Sequence, residues 1–293
     1  MGIARMKRLI FIMVLCLSSS VQADILFQDP TGKAFGAAID KLSEEELKDL
    51  STSDANRKKL FLGIFYIKGA PGFHVEKDCE KAVDFLQDAW ESDITDAGYS
   101  LATMYYNGVC TDKDIDKARE LATQAAQEGY ILAQRMLGLA YVGEKWEELY
   151  PYDVEKGIYW LSKAGNAGDG RSSGQMAYMY RKGEGVSRDD KKSFLWLKKS
   201  VFNKYEKGIN IGFHILAERY EKGMGTEKDL VKAYKYYDLS GTAGAEGKQR
   251  VAKKMTQEQI DEAIRQSRTW QEEHNTYVPS YHGLERQADG AYR

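Results

Sequence analysis

Side chains able to carry chemistry are few in this 293-residue chain, and none stands in a catalytic or ligating spacing. Four histidines, His74, His214, His274 and His282, are scattered and offer no metal-ligand pattern. Cys79 and Cys110 form no C-x-x-C pair, which removes the zinc-ribbon and thioredoxin signatures. The run Gly241 to Lys248 is one residue too long for a phosphate loop. Gly168-Asp169-Gly170 reads as a turn, because no strand precedes it as a dinucleotide fingerprint needs. No Ser-x-x-Lys occurs, so the nucleophile motif of serine enzymes that act on lactams is missing. The chain therefore reads as non-enzymatic, with no catalytic residue, cofactor or metal. What it has in abundance is tyrosine, 19 residues, a side chain suited to binding.

Charge narrows the partners. With 42 basic and 44 acidic residues there is no electrostatic basis for nucleic-acid binding. The first 23 residues read as a secretory signal peptide. Arg5, Lys7 and Arg8 precede the apolar run Leu9 to Leu17, and Val21-Gln22-Ala23 is a small-residue cleavage site. Removal takes three basic residues and no acid, leaving 39 basic against 44 acidic, a net −5. No later stretch approaches the ~18 apolar residues of a membrane span, so no stable membrane insertion is expected. The predicted location is periplasmic or secreted, where cysteines can oxidise.

The elements that must position any binding side chain follow from a repeat. A large apolar residue, then Gly or Ala, with Tyr four positions after the first, occurs five times. The copies are Leu62-Gly63 with Tyr66, Leu101-Ala102 with Tyr105, Leu137-Gly138 with Tyr141, Met176-Ala177 with Tyr180, and Leu216-Ala217 with Tyr220. The tyrosines stand 39, 36, 39 and 40 residues apart. A glycine follows each: Gly69, Gly108, Gly143, Gly183 and Gly223. Next comes Asp, with Lys three residues later beside a small residue: Asp78/Lys81/Ala82, Asp114/Lys117/Ala118, Asp153/Lys156/Gly157, Asp189/Lys192/Ser193 and Asp229/Lys232/Ala233. Phe85, Leu121, Trp160, Trp196 and Tyr236 lie one helical turn further on.

Each unit reads as two helices, A and B. In A, the apolar residue, its small neighbour and the Tyr share one face, and the small residue admits a close neighbour. The glycine suits a helix stop, and the Asp caps the start of B. One helix pair cannot bury both of its faces, so the units must stack. The ends read as caps: Ser43-Glu44-Glu45-Glu46 starts one helix, and Thr256-x-x-Gln259 is a capping box for another. The predicted division is 1–23 signal peptide, 24–52 N-terminal cap, 53–255 five repeats, 256–272 C-terminal capping helix and 273–293 mobile tail.

From Ser53 to Gly244 the two runs, Leu-Gly/Ala-x-x-Tyr-x-x-Gly and Asp-x-x-Lys-Ala-x-x-aromatic, resemble the Sel1-like repeat, a relative of the tetratricopeptide repeat. Gly143, one residue early, and Lys204, in place of a closing glycine, depart from the pattern and blur unit boundaries. The resemblance implies an all-α fold: a right-handed α/α solenoid of about five helix-turn-helix repeats with capping helices. It implies an adaptor that binds another protein, such as an envelope protein. Some exported members are immunity proteins that block secreted antibacterial lipid-degrading effectors, and some have been described as acting on lactams; both are carried as alternatives.

By analogy with tetratricopeptide repeats, the A helices line the concave surface. Positions flanking the core stripe then carry Tyr99, Thr103, Tyr106, Arg135, Tyr178, Arg181, His214 and Glu218 as partner-binding candidates. Packing between neighbouring A helices is the alternative role for each tyrosine. Unit three has a longer A–B connection, Gly143 to Asp153, that includes Trp146, Leu149, Tyr150 and Tyr152. Such a loop is either an interaction epitope or a plug over the neighbouring unit; its composition favours the epitope. Cys79 and Cys110 fall near the A–B turns of neighbouring units, where a disulfide closing 31 residues is geometrically open to them.

Overall fold

The computed structural model describes residues 23–206 and 210–279; the expected signal peptide up to Gln22 and the expected tail beyond Pro279 lie outside the described residues. The second helix of every repeat begins at an aspartate held in one way. The carboxylates of Asp78, Asp114, Asp153, Asp189 and Asp229 accept the backbone N–H three residues on, at 2.9–3.1 Å, satisfying an amide that a helix start leaves open. Their own backbone N–H groups donate to the carbonyls of Tyr66, Tyr105, Tyr141, Tyr180 and Tyr220, each at 2.9 Å. The lysine three residues after each Asp lies 4.3–5.5 Å from the centre of that same tyrosine's ring. The glycines that follow the tyrosines all have positive φ, 64–86°, which a side chain disfavours, so helix A stops there.

The helices run in pairs. An N-terminal region holds α1 (Lys33–Ile39) and α2 (Glu44–Lys48). The repeats are α3 (Ala55–Lys68) with α4 (Cys79–Glu91), α5 (Thr95–Asn107) with α6 (Ile115–Gln127), α7 (Ile131–Tyr141) with α8 (Val154–Asn166), α9 (Gly170–Lys182) with α10 (Asp190–Val201), and α11 (Asn210–Lys222) with α12 (Leu230–Leu239). α13 (Ala245–Ala252) and α14 (Gln257–Glu273) close the C-terminal end. The small residue of helix A does what its place in the pattern predicts. A Cβ on Gly63 would lie 2.6 Å from Leu86 Cγ, and one on Gly138 2.7 Å from Leu161 Cγ. Successive pairs pack side by side as an all-α solenoid, and the described residues form no sheet strand, only isolated bridges.

The interior is uneven along the stack. One large apolar cluster runs from Phe27 to Leu149, and another joins α10, α11 and α12 to α14. Between them the buried apolar set shrinks to Leu161, Met176 and Met179. The seam between α8 and α9 is built instead from Gly165, Ser172 and Ser173, all buried.

The ends differ from the sequence expectation in form. The first third of the N-terminal cap, before α1, is an extended strap rather than helix. Leu26 and Phe27 N–H donate to the Asp96 carboxylate at 2.9 and 3.0 Å, and Gln28 bridges Gly129 O and Ile131 N–H. Asp24 O also accepts Thr95 N–H at 3.0 Å, so the strap satisfies amides at the starts of α5 and α7, which lack side-chain caps of their own. Ser43 and Thr256 both form full capping boxes. The C-terminal closure contains α13, which the sequence pattern did not separate from the repeats. The first tail residues are tied back: Val278 N–H donates to Gln271 Oε1 at 2.6 Å, and His274 stacks on Trp270 at 4.1 Å.

The structure joins Cys79, at the start of α4, to Cys110, in the α5–α6 turn. Reducing this 31-residue closure is expected to cost ~3–4 kcal/mol, read as a lower guanidinium midpoint. Alkylation of both thiols in unreduced protein contradicts it.

Acid should weaken the C-terminal closure. Buried Glu221 accepts Arg250 Nε and Nη2 at 2.9 and 2.7 Å and the Tyr237 hydroxyl at 2.7 Å. Arg250 foremost lowers its carboxyl to about 2 from an ordinary 4.5, against the opposing push of burial. A carboxyl lowered on folding stabilises above its ordinary value and loses that contribution as pH falls. Melting temperature should therefore drop between pH 4.5 and about 2, with a smaller drop in Glu221→Gln.

Candidate functional site

The A helices of units four and five face each other across an open groove of about 690 Å³. α9 turns Gly170, Gly174, Ala177, Tyr178 and Arg181 toward it, a spacing of three and four that keeps them on one face. α11 answers with Gly212, Ile215, Glu218, Arg219 and Lys222 on the same spacing. Leu197 and Val201 of α10 supply an apolar floor. The small residues of α9 leave the width: a Cβ on Gly174 would meet only Ser200 Oγ, at 3.4 Å. Four cations, Arg171, Arg181, Arg219 and Lys222, stand here against two carboxylates, Glu206 and Glu218.

Of the candidate residues, the groove unites Tyr178, Arg181 and Glu218. Tyr178 is 36% exposed, and Arg181 lies over its ring at 5.5 Å. Glu184 beside it holds the Tyr178 phenol above its usual range. His214 stands outside the lining, edge-on to Tyr237 at 5.5 Å, with Nε2 3.9 Å from Glu218. The remaining A-helix candidates are occupied within the protein. Tyr99 meets Tyr130 edge to face at 5.5 Å, and burial pushes its phenol up. Thr103 Oγ1 donates to Ser100 O at 2.7 Å. Tyr106 lies under Lys113 at 5.6 Å. Arg135 pairs with Asp169 at 2.9 Å, their side chains 12% and 2% exposed.

The long loop of unit three, expected as an epitope, is largely folded onto the protein. Leu149 is fully buried, and Arg119 Nε donates to its carbonyl at 2.5 Å. Tyr150 stacks on Tyr141 at 4.3 Å and hydrogen-bonds Thr123. Trp146 is half-buried under Lys145 at 4.4 Å. The loop is folded down over units two and three because its aromatics find apolar partners there. Tyr152 alone of its three candidates stays open, at 65%.

Sequence reasoning missed Asp169 and Arg219. Asp169 looked like a turn residue, yet it caps α9 through Ser172 N–H at 3.0 Å and holds Arg135. Arg219 precedes the signature Tyr of unit five, where the other units carry Phe65, Met104, Ala140 and Met179; lining the five units up position by position exposes it. Among the described residues no cluster of His, Cys, Asp or Glu fits a metal, and no helix is long and apolar enough to cross a membrane.

The family model described as Sel1 repeat matches residues 60–89, 95–130, 131–169, 174–201 and 214–244, more than half of the chain. The chain belongs to the Sel1 repeat family. A solved Sel1 repeat protein from Oxalobacter formigenes is similar over 77% of this chain and 94% of its own, with 21% identity and a TM-score of 0.58. At that identity the likeness speaks for the fold alone. Two further structures match at lower TM-scores. A putative Sel1 repeat protein from Klebsiella pneumoniae gives 0.41 with 18% identity, over 72% of this chain and all of its own. A protective antigen of uropathogenic Escherichia coli with an SLR fold gives 0.33 with 19% identity, over 78% of this chain and 63% of its own.

The two arginine candidates should separate by stability. Arg135→Ala strands a buried carboxylate and is expected to cost ~3 kcal/mol. Arg181→Ala, on an exposed wall, should stay within ~0.5 kcal/mol of the parent. Chemical denaturation of both variants checks the difference.

Proposed function

We propose that this Sel1 repeat protein is an exported, non-catalytic scaffold that holds a segment of a protein partner between α9 and α11. The observation that carries the reading is the groove itself: open, apolar at its floor, walled by Tyr178 and by arginines, the residue types that dominate protein interfaces. Its form suits an extended segment rather than a small molecule, since it lies along two helices instead of enclosing a cavity. The protein's own strap gives a precedent for such binding, lying extended across the starts of α5 and α7. The leader-like residues 1–23 and the Cys79–Cys110 bond support a periplasmic or secreted setting. A toxin gene beside this one would make the partner a secreted effector and the protein its immunity factor; without one, an envelope protein is the expected partner.

Filling the groove tests the reading. Gly174→Trp places an indole between the two helices, where the first added atom has room. Affinity purification from the cell envelope should then lose the partner recovered with the parent, while helical signal and melting stay unchanged. Capture that survives the indole removes the groove from the function.

A further inference from the structure

Arg219 is out of place. The position before the signature tyrosine is apolar in the other four units, where Met104, Ala140 and Met179 are buried and Phe65 is half-buried. In unit five it carries an arginine that is only 5% exposed. Nη2 reaches Ser193 Oγ at a long 3.4 Å. Nη1 is shut off from solvent and has no hydrogen-bond partner among the described residues. The nearest carboxylates are engaged elsewhere. Asp190 is held by Arg188 at 2.9 Å, and Glu218 stands between His214 and Lys222, each at 3.9 Å. Burial, reinforced by Arg181, works against the charge and lowers its pKa. A buried cation without a partner is costly, and an apolar residue would serve the packing better.

The surroundings say what would complete it. Arg219 is a wall of the α9–α11 groove, with Arg181 and Lys222 beside it. Cations outnumber carboxylates there four to two, in a chain of net charge −2. Next to this charge lie the apolar side chains of Leu197, Ile215 and Met224. We infer that the groove takes an acidic, extended peptide segment of the partner, whose carboxylate pairs with Arg219 between Arg181 and Lys222 while a neighbouring apolar side chain settles on the floor. The carboxylate meets Arg181 and Lys222 first, and a small outward turn of Arg219 supplies the charge-assisted pair that the free protein lacks. The inference rests on the scaffold reading and gives its groove a chemistry.

The test uses a short, end-blocked, fluorescein-labelled peptide alternating Glu and Leu, with Gln and Lys twins, followed by anisotropy at low salt on the full protein. The Glu peptide should bind about tenfold or more tighter than the Gln twin, and the Lys twin should not bind. Arg219→Met, which installs the residue of units two and four, should abolish that preference while melting at or above the parent temperature. Arg181→Gln should weaken binding less. Equal affinity for the Glu and Gln peptides overturns the inference, as does a preference that survives Arg219→Met. Displacement of the peptide by inorganic phosphate at sub-millimolar concentration overturns it in favour of a free-anion site. A tenfold gain in peptide affinity on deleting residues 280–293 overturns it in favour of the chain's own C-terminal segment, which carries Glu285 and Asp289. Partner capture lost in Gly174→Trp but intact in Arg219→Met sinks the charge pairing and leaves the scaffold standing; capture intact in both sinks the scaffold.

Discussion

The tyrosine–aspartate–lysine closure at each hairpin turn is the interaction on which the molecule depends. Its backbone bond, Asp N–H to Tyr carbonyl, repeats at 2.9 Å in all five units despite turns of two different lengths. The aspartate then does two jobs, ending the turn with its amide and starting helix B with its carboxylate. The lysine sets its ammonium over the tyrosine ring, 4.3–5.5 Å from its centre. With the hairpin angle fixed locally, the glycine of helix A in units one and three meets a leucine of helix B at a distance that leaves no room for a Cβ. Stacking then needs little more than matching surfaces.

That regularity makes the exceptions informative. Where the stack needs only apolar contact, the interior is large, as in units one to three. At the seam before unit four it turns to glycine and serine, and directly beyond the seam the groove opens. The N-terminal half has its own strap laid across its helix starts, whereas α9 and α11 face open space. The asymmetry leaves the open groove in the C-terminal half, whatever its charge.

The sequence disclosed what is local and periodic. The five aspartate caps, the glycine stops and both capping boxes depend on residues within four positions of each other, so their spacing alone reveals them. Tyr178, Arg181 and Glu218 line one groove because a helical face has a fixed period. Tyr99 and Arg135 share that period, but their partners, Tyr130 and Asp169, come from the next unit, so nothing local separates a wall residue from an internal contact. Trp146 and Tyr150 looked like an epitope because composition records apolarity and not the direction in which a loop folds. Arg219 was hidden in plain view, since a repeat is usually read for what agrees and here the departure matters.

The covalent bond between α4 and the α5–α6 turn stands at the far end of the stack from the groove, with the lean glycine–serine seam between them. In a linear array each module feels chiefly its immediate neighbours. Thiol chemistry at the first two modules is therefore insulated from the groove at the last two. A change of oxidant level could loosen one end of this protein and leave the walls of the groove at the other end as they are.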